Sequence, residues 1–139
     1  MKKVAIIVSR GSFNNLIQVA TLIRALTASP EISVRVFFRD EAILKLTKER
    51  INHPNFSEAY RDLEEMTLVR LQAADFENLQ TFLRDSKQHG HDVKFFACSS
   101  SMYMCGLKEE DLIPEIDAPM TLTDFLHQEL LPADLVMTF

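Results

Sequence analysis

The stretch Phe95-Phe96-Ala97-Cys98-Ser99-Ser100-Ser101-Met102-Tyr103-Met104-Cys105-Gly106 decides the fold of this chain of 139 residues. Its first part is apolar, as in a strand buried on both faces of a parallel sheet, and a hydroxyl-rich turn and a short helix follow directly. Such a junction at the carboxyl end of a strand is where an open α/β sheet places its chemistry. Both cysteines of the chain lie in this stretch, so any chemistry that uses protein thiols is expected here.

Strand-like and helical patterns alternate on both sides of this stretch. The sequence predicts strands at 4–8, 33–38, 93–97, 116–120 and 135–139. It predicts helical segments at 13–28, 40–46, 52–71, 76–90, 109–113 and 122–130. This alternation predicts a three-layer α/β/α fold with a five-stranded, mainly parallel sheet, and the length fits one domain over residues 1–139.

Composition and charge narrow the class of protein. The chain is 47% hydrophobic and 25% charged, which is typical of a globular domain. A net charge of −5 argues against a nucleic-acid partner. Lys45, Lys48 and Arg50 are interleaved with Glu49 and are expected to form a solvated helix face.

The two cysteines and the N-terminus bear on location. Two cysteines are too few for a disulfide scaffold, so a reduced, cytoplasmic location is the default expectation. The apolar run 4–8 is too short for a signal peptide or a membrane span, and it is better interpreted as the first strand. No membrane insertion is expected.

Four loops are expected to meet at one edge of the sheet, because parallel strands end on the same side. They are residues 9–12, 39–40, 98–101 and 120–121. Ser12 is predicted to cap the first helix, and Arg10 or Arg39 could steer an anionic donor or stabilise a thiolate. The candidate anion-binding residues of this rim are Ser9, Arg10, Gly11, Ser12, Arg39, Ser99 and Ser100.

Cys98 is the candidate catalytic residue. A thiolate at a strand end near backbone amides can attack a sulfur donor and carry the sulfur as a persulfide, if its pKa is lowered and the thiol is accessible. The alternative is a small buried apolar side chain with no chemical role. Cys105 lies about two helical turns further on, which is too far for a disulfide in a regular helix, so it is a possible secondary thiol and more often a packed one.

Other chemistry finds little support in the sequence. The segment 9–12 has one glycine and fits neither a phosphate-binding nor a dinucleotide-binding motif. The four histidines are scattered, without the spacing of a zinc site. We therefore expect no metal and no cofactor.

Three blocks of the chain resemble the DsrE/DsrF-like family of sulfur-relay proteins, in particular its small stand-alone branch. They are the opening strand and turn at 4–12, the second strand at 36–38, and Val93 to Cys98 followed by Ser101-Met102, Gly106-Leu107 and Glu110 to Ile113. The sequence departs from the family pattern at Arg39-Asp40-Glu41, where many relatives have an aromatic, glycine-containing turn. It departs again at Asn14-Asn15, where many have an acidic residue.

The resemblance implies a flavodoxin-like architecture and a homo-oligomer, a trimer or a hexamer. It also implies that the persulfide forms on Cys98, with sulfur-donor or sulfur-acceptor proteins as partners. The function expected from the sequence is thus that of a sulfur-relay or sulfurtransferase-like protein, and the residues do not decide between an enzyme and a carrier. The alternative is a non-catalytic oligomeric binding module that uses the same rim for a small ligand or a protein partner.

Overall fold

A computed structural model describes residues 2–139 of the chain. The strands are β1 (Lys2–Val8), β2 (Ile32–Phe38), β3 (Val93–Cys98), β4 (Ala118–Met120) and β5 (Leu135–Thr138). The helices are α1 (Phe13–Leu26), α2 (Glu41–Lys45), α3 (Glu64–Ala73), α4 (Leu79–His89), α5 (Ser99–Met104) and α6 (Leu122–Phe125), which a π-helical turn at Leu126–Leu130 continues. None of the helices in residues 2–139 has the length and apolar character needed to cross a membrane.

The five strands form one sheet in the order β4-β3-β2-β1-β5, and every pairing is parallel. The predicted α/β fold with a parallel sheet is therefore confirmed. Because all strands run the same way, the loops after β1, β2, β3 and β4 lie on one edge. This rim is the edge that the sequence indicated as the place of function.

The two faces of the sheet carry cores of different size, because successive side chains of a strand point to opposite sides. On the α1 face, β-strand residues such as Val4, Ile6 and Val8 pack with Leu16 of α1 and Leu83 of α4. On the other face, here called the α6 face, the cluster of buried apolar residues described in 2–139 is smaller: Ala5, Phe37, Cys98 and Phe125. Phe125 of α6 stacks on Phe37 with ring centroids 4.6 Å apart. Helices thus cover both faces, as expected.

Several predicted boundaries move. The first helix ends at Leu26 and not near residue 28, because Thr27 terminates it and its hydroxyl donates to the carbonyl of Ile23. The helix predicted for 52–71 is a 3-10 turn at Glu58–Tyr60 followed by α3 at 64–73. This segment has no buried apolar face to fix its start, since α3 contains no fully buried residue. The predicted fourth strand shortens to Ala118–Met120.

Asp40 stands at the N-cap position of α2, but its side chain makes no capping hydrogen bond. Its backbone adopts a φ of 52°, in the left-handed region that residues other than glycine seldom enter. A side chain on a backbone of this conformation does not reach the first helical amides as an N-cap does. An aspartate at this position is a common N-cap, but Asp40 does not cap α2 with its side chain, although α2 begins where it was expected.

The solvated helix face predicted around Lys45 is also wrong at that residue. Lys48 and Arg50 are exposed, whereas Lys45 is only 3% exposed. The end of α2 turns this lysine inward beneath the segment 50–53, where its ammonium contacts backbone carbonyls. The charge of Lys45 suggested a surface residue, and the sequence pattern did not indicate the turn that follows α2.

Candidate functional site

Cys98 is the last residue of β3 and directly precedes α5. Alternation along β3 turns its side chain to the α6 face, where it packs in one cluster with Ala5, Phe37 and Phe125. The residue is 1% exposed. The strand end therefore presents the thiol to an apolar core on one side and to the start of α5 on the other.

The start of α5 surrounds the thiol with hydrogen-bonding groups. The Sγ atom of Cys98 lies 3.2 Å from the Oγ atom of Ser100. Burial by itself would raise the pKa of Cys98, but hydrogen bonds from the side chains and backbone amides of Ser100 and Ser101 outweigh it, so the pKa is lowered. The arrangement favours a thiolate in a place where an apolar core alone would favour the thiol.

Ser101 was part of the predicted rim loop but not one of the predicted site residues. It is 7% exposed, and its hydroxyl oxygen accepts a hydrogen bond of 2.8 Å from the backbone amide of Asp40. It thus ties α5 to the strained turn between β2 and α2 and also contributes to lowering the pKa of Cys98. Its position in a run of three serines at a strand end was the only sequence signal for this role.

The turn after β1 is built by close backbone contacts. The amide of Ala42 donates to the carbonyl of Ser9 at 3.2 Å. A Cβ atom on Gly11 would collide with the backbone carbonyl of Glu41, so glycine is what allows this approach. The hydroxyl oxygen of Ser12 accepts from the amide of Asn15 at 3.3 Å, which confirms the predicted cap of α1.

The two rim arginines take no part in the contacts around the thiol. Within residues 2–139, the side chains of Arg10 and Arg39 form no hydrogen bond and no ion pair with protein groups, and neither contributes to the shift in the pKa of Cys98. Of the other candidates, Ser99 is the first residue of α5 and Ser100 contacts the thiol. The anion-binding role of this set stays a prediction.

Cys105 occupies the C-cap position of α5 and is half-buried. Both cysteines are free. The neighbouring Tyr103 and Met104 are 88% and 80% exposed, so neither side chain packs into the core. Residues 2–139 contain no group of three histidine, cysteine or carboxylate side chains that could hold a metal ion.

A single five-stranded parallel sheet with helices on both faces makes this chain a small α/β domain, and comparison with known proteins identifies its family. The model of the DsrE/DsrF/DrsH-like family matches residues 1–137. The chain therefore belongs to this family, which generally functions in sulfur relay.

Solved structures share the fold. The ychN protein from E. coli is 20% identical with a TM-score of 0.70, and the match covers 100% of both chains. Protein MTH1491 from Methanobacterium thermoautotrophicum, whose function is described as unknown, is 14% identical with a TM-score of 0.61 over 99% of both chains. At these identities the likeness concerns the fold. No curated protein matches the sequence.

Proposed function

We propose that this protein carries sulfur as a persulfide on Cys98. The observation that carries the proposal is the contact of the Cys98 thiol with the hydroxyl of Ser100, together with the lowered pKa of that thiol. Membership of a family that generally functions in sulfur relay supports it. A cytoplasmic location fits this role, because a reducing compartment keeps the carrier thiol free.

The chemistry takes two exchanges at one sulfur. The Cys98 thiolate attacks the outer sulfur of a donor persulfide, a new S–S bond forms on Cys98, and the donor leaves as a thiolate with the electron pair of its broken S–S bond. An acceptor thiolate then attacks the outer sulfur of the Cys98 persulfide. A new S–S bond forms on the acceptor, and Cys98 is released as a thiolate. The hydroxyls and amides of Ser100 and Ser101 stabilise Cys98 in its thiolate form before and after each cycle.

Access to the thiol is the step that the fold controls. Cys98 is 1% exposed, so its sulfur must open toward a donor. The side chain of Ser100, which touches the sulfur, is itself on the surface. A small movement at the start of α5 would therefore uncover Sγ while leaving the sheet intact, and donor or acceptor proteins would act at that point.

Sulfur loading provides the direct test. The protein is incubated with glutathione persulfide and analysed by mass spectrometry, with Cys105→Ser and Cys98→Ser as matched variants. We expect the wild type and Cys105→Ser to gain one sulfur atom at Cys98, and transfer to an acceptor thiol to remove it. Loading that survives in Cys98→Ser, or that fails in Cys105→Ser, contradicts the proposal.

Alkylation kinetics test the thiolate independently. In the Cys105→Ser background, iodoacetamide should react with Cys98 along a pH profile whose midpoint lies below the value of about 8.5 for an ordinary thiol. The same profile measured in urea gives the reference for the accessible, unfolded thiol. A folded midpoint at or above the unfolded one would contradict an activated thiolate.

A non-catalytic oligomeric binding module is the second candidate. The enclosure of Cys98 favours it, and so do the exposed Tyr103 and Met104 on the adjacent helix, since large exposed apolar side chains mark contact surfaces. A trimer or hexamer of this chain, as the family resemblance implies, would bury them. This candidate predicts an assembly that forms equally well in Cys98→Ser and takes up no sulfur.

A further inference from the structure

A cavity of about 650 Å³ opens on the rim, on the α1 side of the sheet. It lies between the turn after β1, helix α2 and the segment 49–56, away from the α6 face to which Cys98 points. Its volume falls in the range of pockets that hold small organic molecules and exceeds what one inorganic ion fills. Its lining consists of Gly11, Ser12, Glu41, Leu44, Lys45, Glu49, Arg50, His53, Asn55 and Phe56.

Lys45 is the one fully buried charged side chain in this lining. Its Nζ atom donates to the backbone carbonyl of Arg50 at 2.9 Å and to that of His53. The same atom lies 5.6 Å from the centroid of the Phe13 ring. No carboxylate in residues 2–139 lies within ion-pair distance of it. The ammonium thus uses two N–H groups on carbonyls and keeps a third, and its buried charge has no counter-ion.

Burying a charge without a counter-ion costs free energy, so buried charges in proteins are ordinarily paired. The other charged groups that line the cavity, Glu41, Glu49 and Arg50, are exposed and also form no ion pair in residues 2–139. Water and salt screen groups in that position, so they compensate Lys45 only weakly. The counter-ion that Lys45 lacks would therefore be an anion bound inside the cavity, shielded from solvent.

We propose that this cavity binds a small organic anion, a carboxylate or a phosphate ester, whose charged group pairs with the Lys45 ammonium. The apolar part of the ligand lies against Leu44 and Phe56, the apolar members of the lining. The amide of Phe13 already donates to the carbonyl of Asn55 at 2.9 Å, so the start of α1 is not the main anion contact. The site does not use Cys98 and stands apart from the persulfide proposal.

The protonation of Lys45 makes the site sensitive to pH. Burial lowers its pKa to about 8, so in the free cavity the Lys45 ammonium loses its charge above that pH. The other titratable groups that face the cavity are Glu41, Glu49, Arg50 and His53. Carboxylates and guanidinium groups keep their charge between about pH 7 and 10. Affinity for an anion should therefore be constant near pH 7 and fall about tenfold for each pH unit above 8.

Calorimetry with defined probes tests the proposal on the full chain. Phenyl phosphate and benzoate are the anionic probes, and benzyl alcohol is the neutral control of similar size. We expect millimolar or tighter binding of at least one anion, binding of the alcohol at least about tenfold weaker, and the loss of affinity above pH 8 in the wild type. Absence of binding by both anions at about 10 mM, or equal binding of the alcohol, overturns the proposal.

Variants locate the binding. Lys45→Met should lose at least about tenfold in affinity, and Leu44→Trp should block the cavity while the lysine and its two carbonyl contacts stay in place. Lys48→Met is the matched control, because Lys48 is exposed and lies outside the lining. If Lys45→Met does not fold, the pH dependence of anion affinity in the wild type and the affinity of Leu44→Trp test the proposal instead. If the anionic probes bind Leu44→Trp as tightly as the wild type, the proposed site is wrong. A failure of sulfur loading at Cys98 would not change any of these expected results.

Discussion

Cys98 and Lys45 lie on opposite faces of the same sheet and differ in what surrounds a buried ionisable group. Cys98 is 1% exposed and is met by donors, the hydroxyls and amides at the start of α5. Lys45 is 3% exposed and is met by acceptors, two backbone carbonyls. The pKa of each group falls, but with opposite results: the cysteine moves toward its charged form and the lysine toward its neutral form. Burial decides the direction at Lys45 although its carbonyl contacts favour the charged form, whereas at Cys98 the hydrogen bonds of Ser100 and Ser101 outweigh burial.

The largest effect is expected from a variant that exposes Cys98 by removing the aromatic ring packed beside it. Phe125 is fully buried and stacks on Phe37 in the cluster that contains Cys98. Phe125→Ala should lower the free energy of unfolding by about 3–5 kcal/mol and increase the rate of Cys98 alkylation in the native state. Urea denaturation and iodoacetamide kinetics measure the two effects.

Leu83→Ala is the matched control for that variant, because Leu83 is equally buried on the α1 face. It should lose about 2–5 kcal/mol without increasing native-state alkylation. Equal acceleration in both variants would mean that Cys98 reacts through global unfolding, and the role of Phe125 as its cover would be lost.

The pH dependence of stability isolates Lys45. Because its folded pKa of about 8 lies below the unfolded value of about 10.4, the unfolded chain binds the extra proton between these values. The free energy of unfolding of the wild type, relative to Lys45→Met, should therefore rise as the pH increases from 8 toward 10.4, by about 3 kcal/mol at most. Below pH 8 the difference should be constant. A flat difference over the whole range would show that Lys45 titrates as an exposed lysine does.

Ser101→Ala should have a smaller effect on stability and a specific effect on the thiol. It removes the acceptor of the Asp40 amide and one hydroxyl that lowers the pKa of Cys98. We expect a loss of about 1–3 kcal/mol and an alkylation midpoint shifted to higher pH. Ser99→Ala serves as the comparison, since no contact of the Ser99 hydroxyl contributes to that pKa. An unchanged midpoint in Ser101→Ala would remove Ser101 from the site.

Arg39→Ala should have the smallest effect. Its side chain makes no hydrogen bond or ion pair in residues 2–139, so we expect a change in stability within about 0.5 kcal/mol and an unchanged alkylation midpoint for Cys98. A raised midpoint would show that the arginine, and not the serine hydroxyls alone, supports the thiolate.

The sheet was predictable because its information is local. The apolar segment Val4 to Val8 and the β3 segment ending at Cys98 each indicate a buried strand by composition, and Ser12 indicates the start of α1 by its chemistry. The alternation of these elements then allows few topologies. The placement of Cys98 at the carboxyl end of β3 followed from the same pattern.

The surroundings of the site were less predictable because they depend on contacts between distant segments. The amide of Asp40 meets the hydroxyl of Ser101 across 61 positions, and no periodicity encodes that pair. The burial of Lys45 depends on the path of residues 50–53, where irregular backbone supplies two carbonyls. A lysine beside Glu49 and Arg50 reads as a surface charge until that path is known.

The hydrogen bond between Ser101 and Asp40 has a consequence for how the two sites can change in evolution. The Ser101 hydroxyl joins helix α5, whose first turn contacts the thiol, to the turn that precedes the wall of the lysine cavity. A substitution in the cavity wall that moves the turn at Asp40 can reach the cysteine through this contact. Position 101 is therefore where two otherwise separable traits of the molecule would be expected to change together.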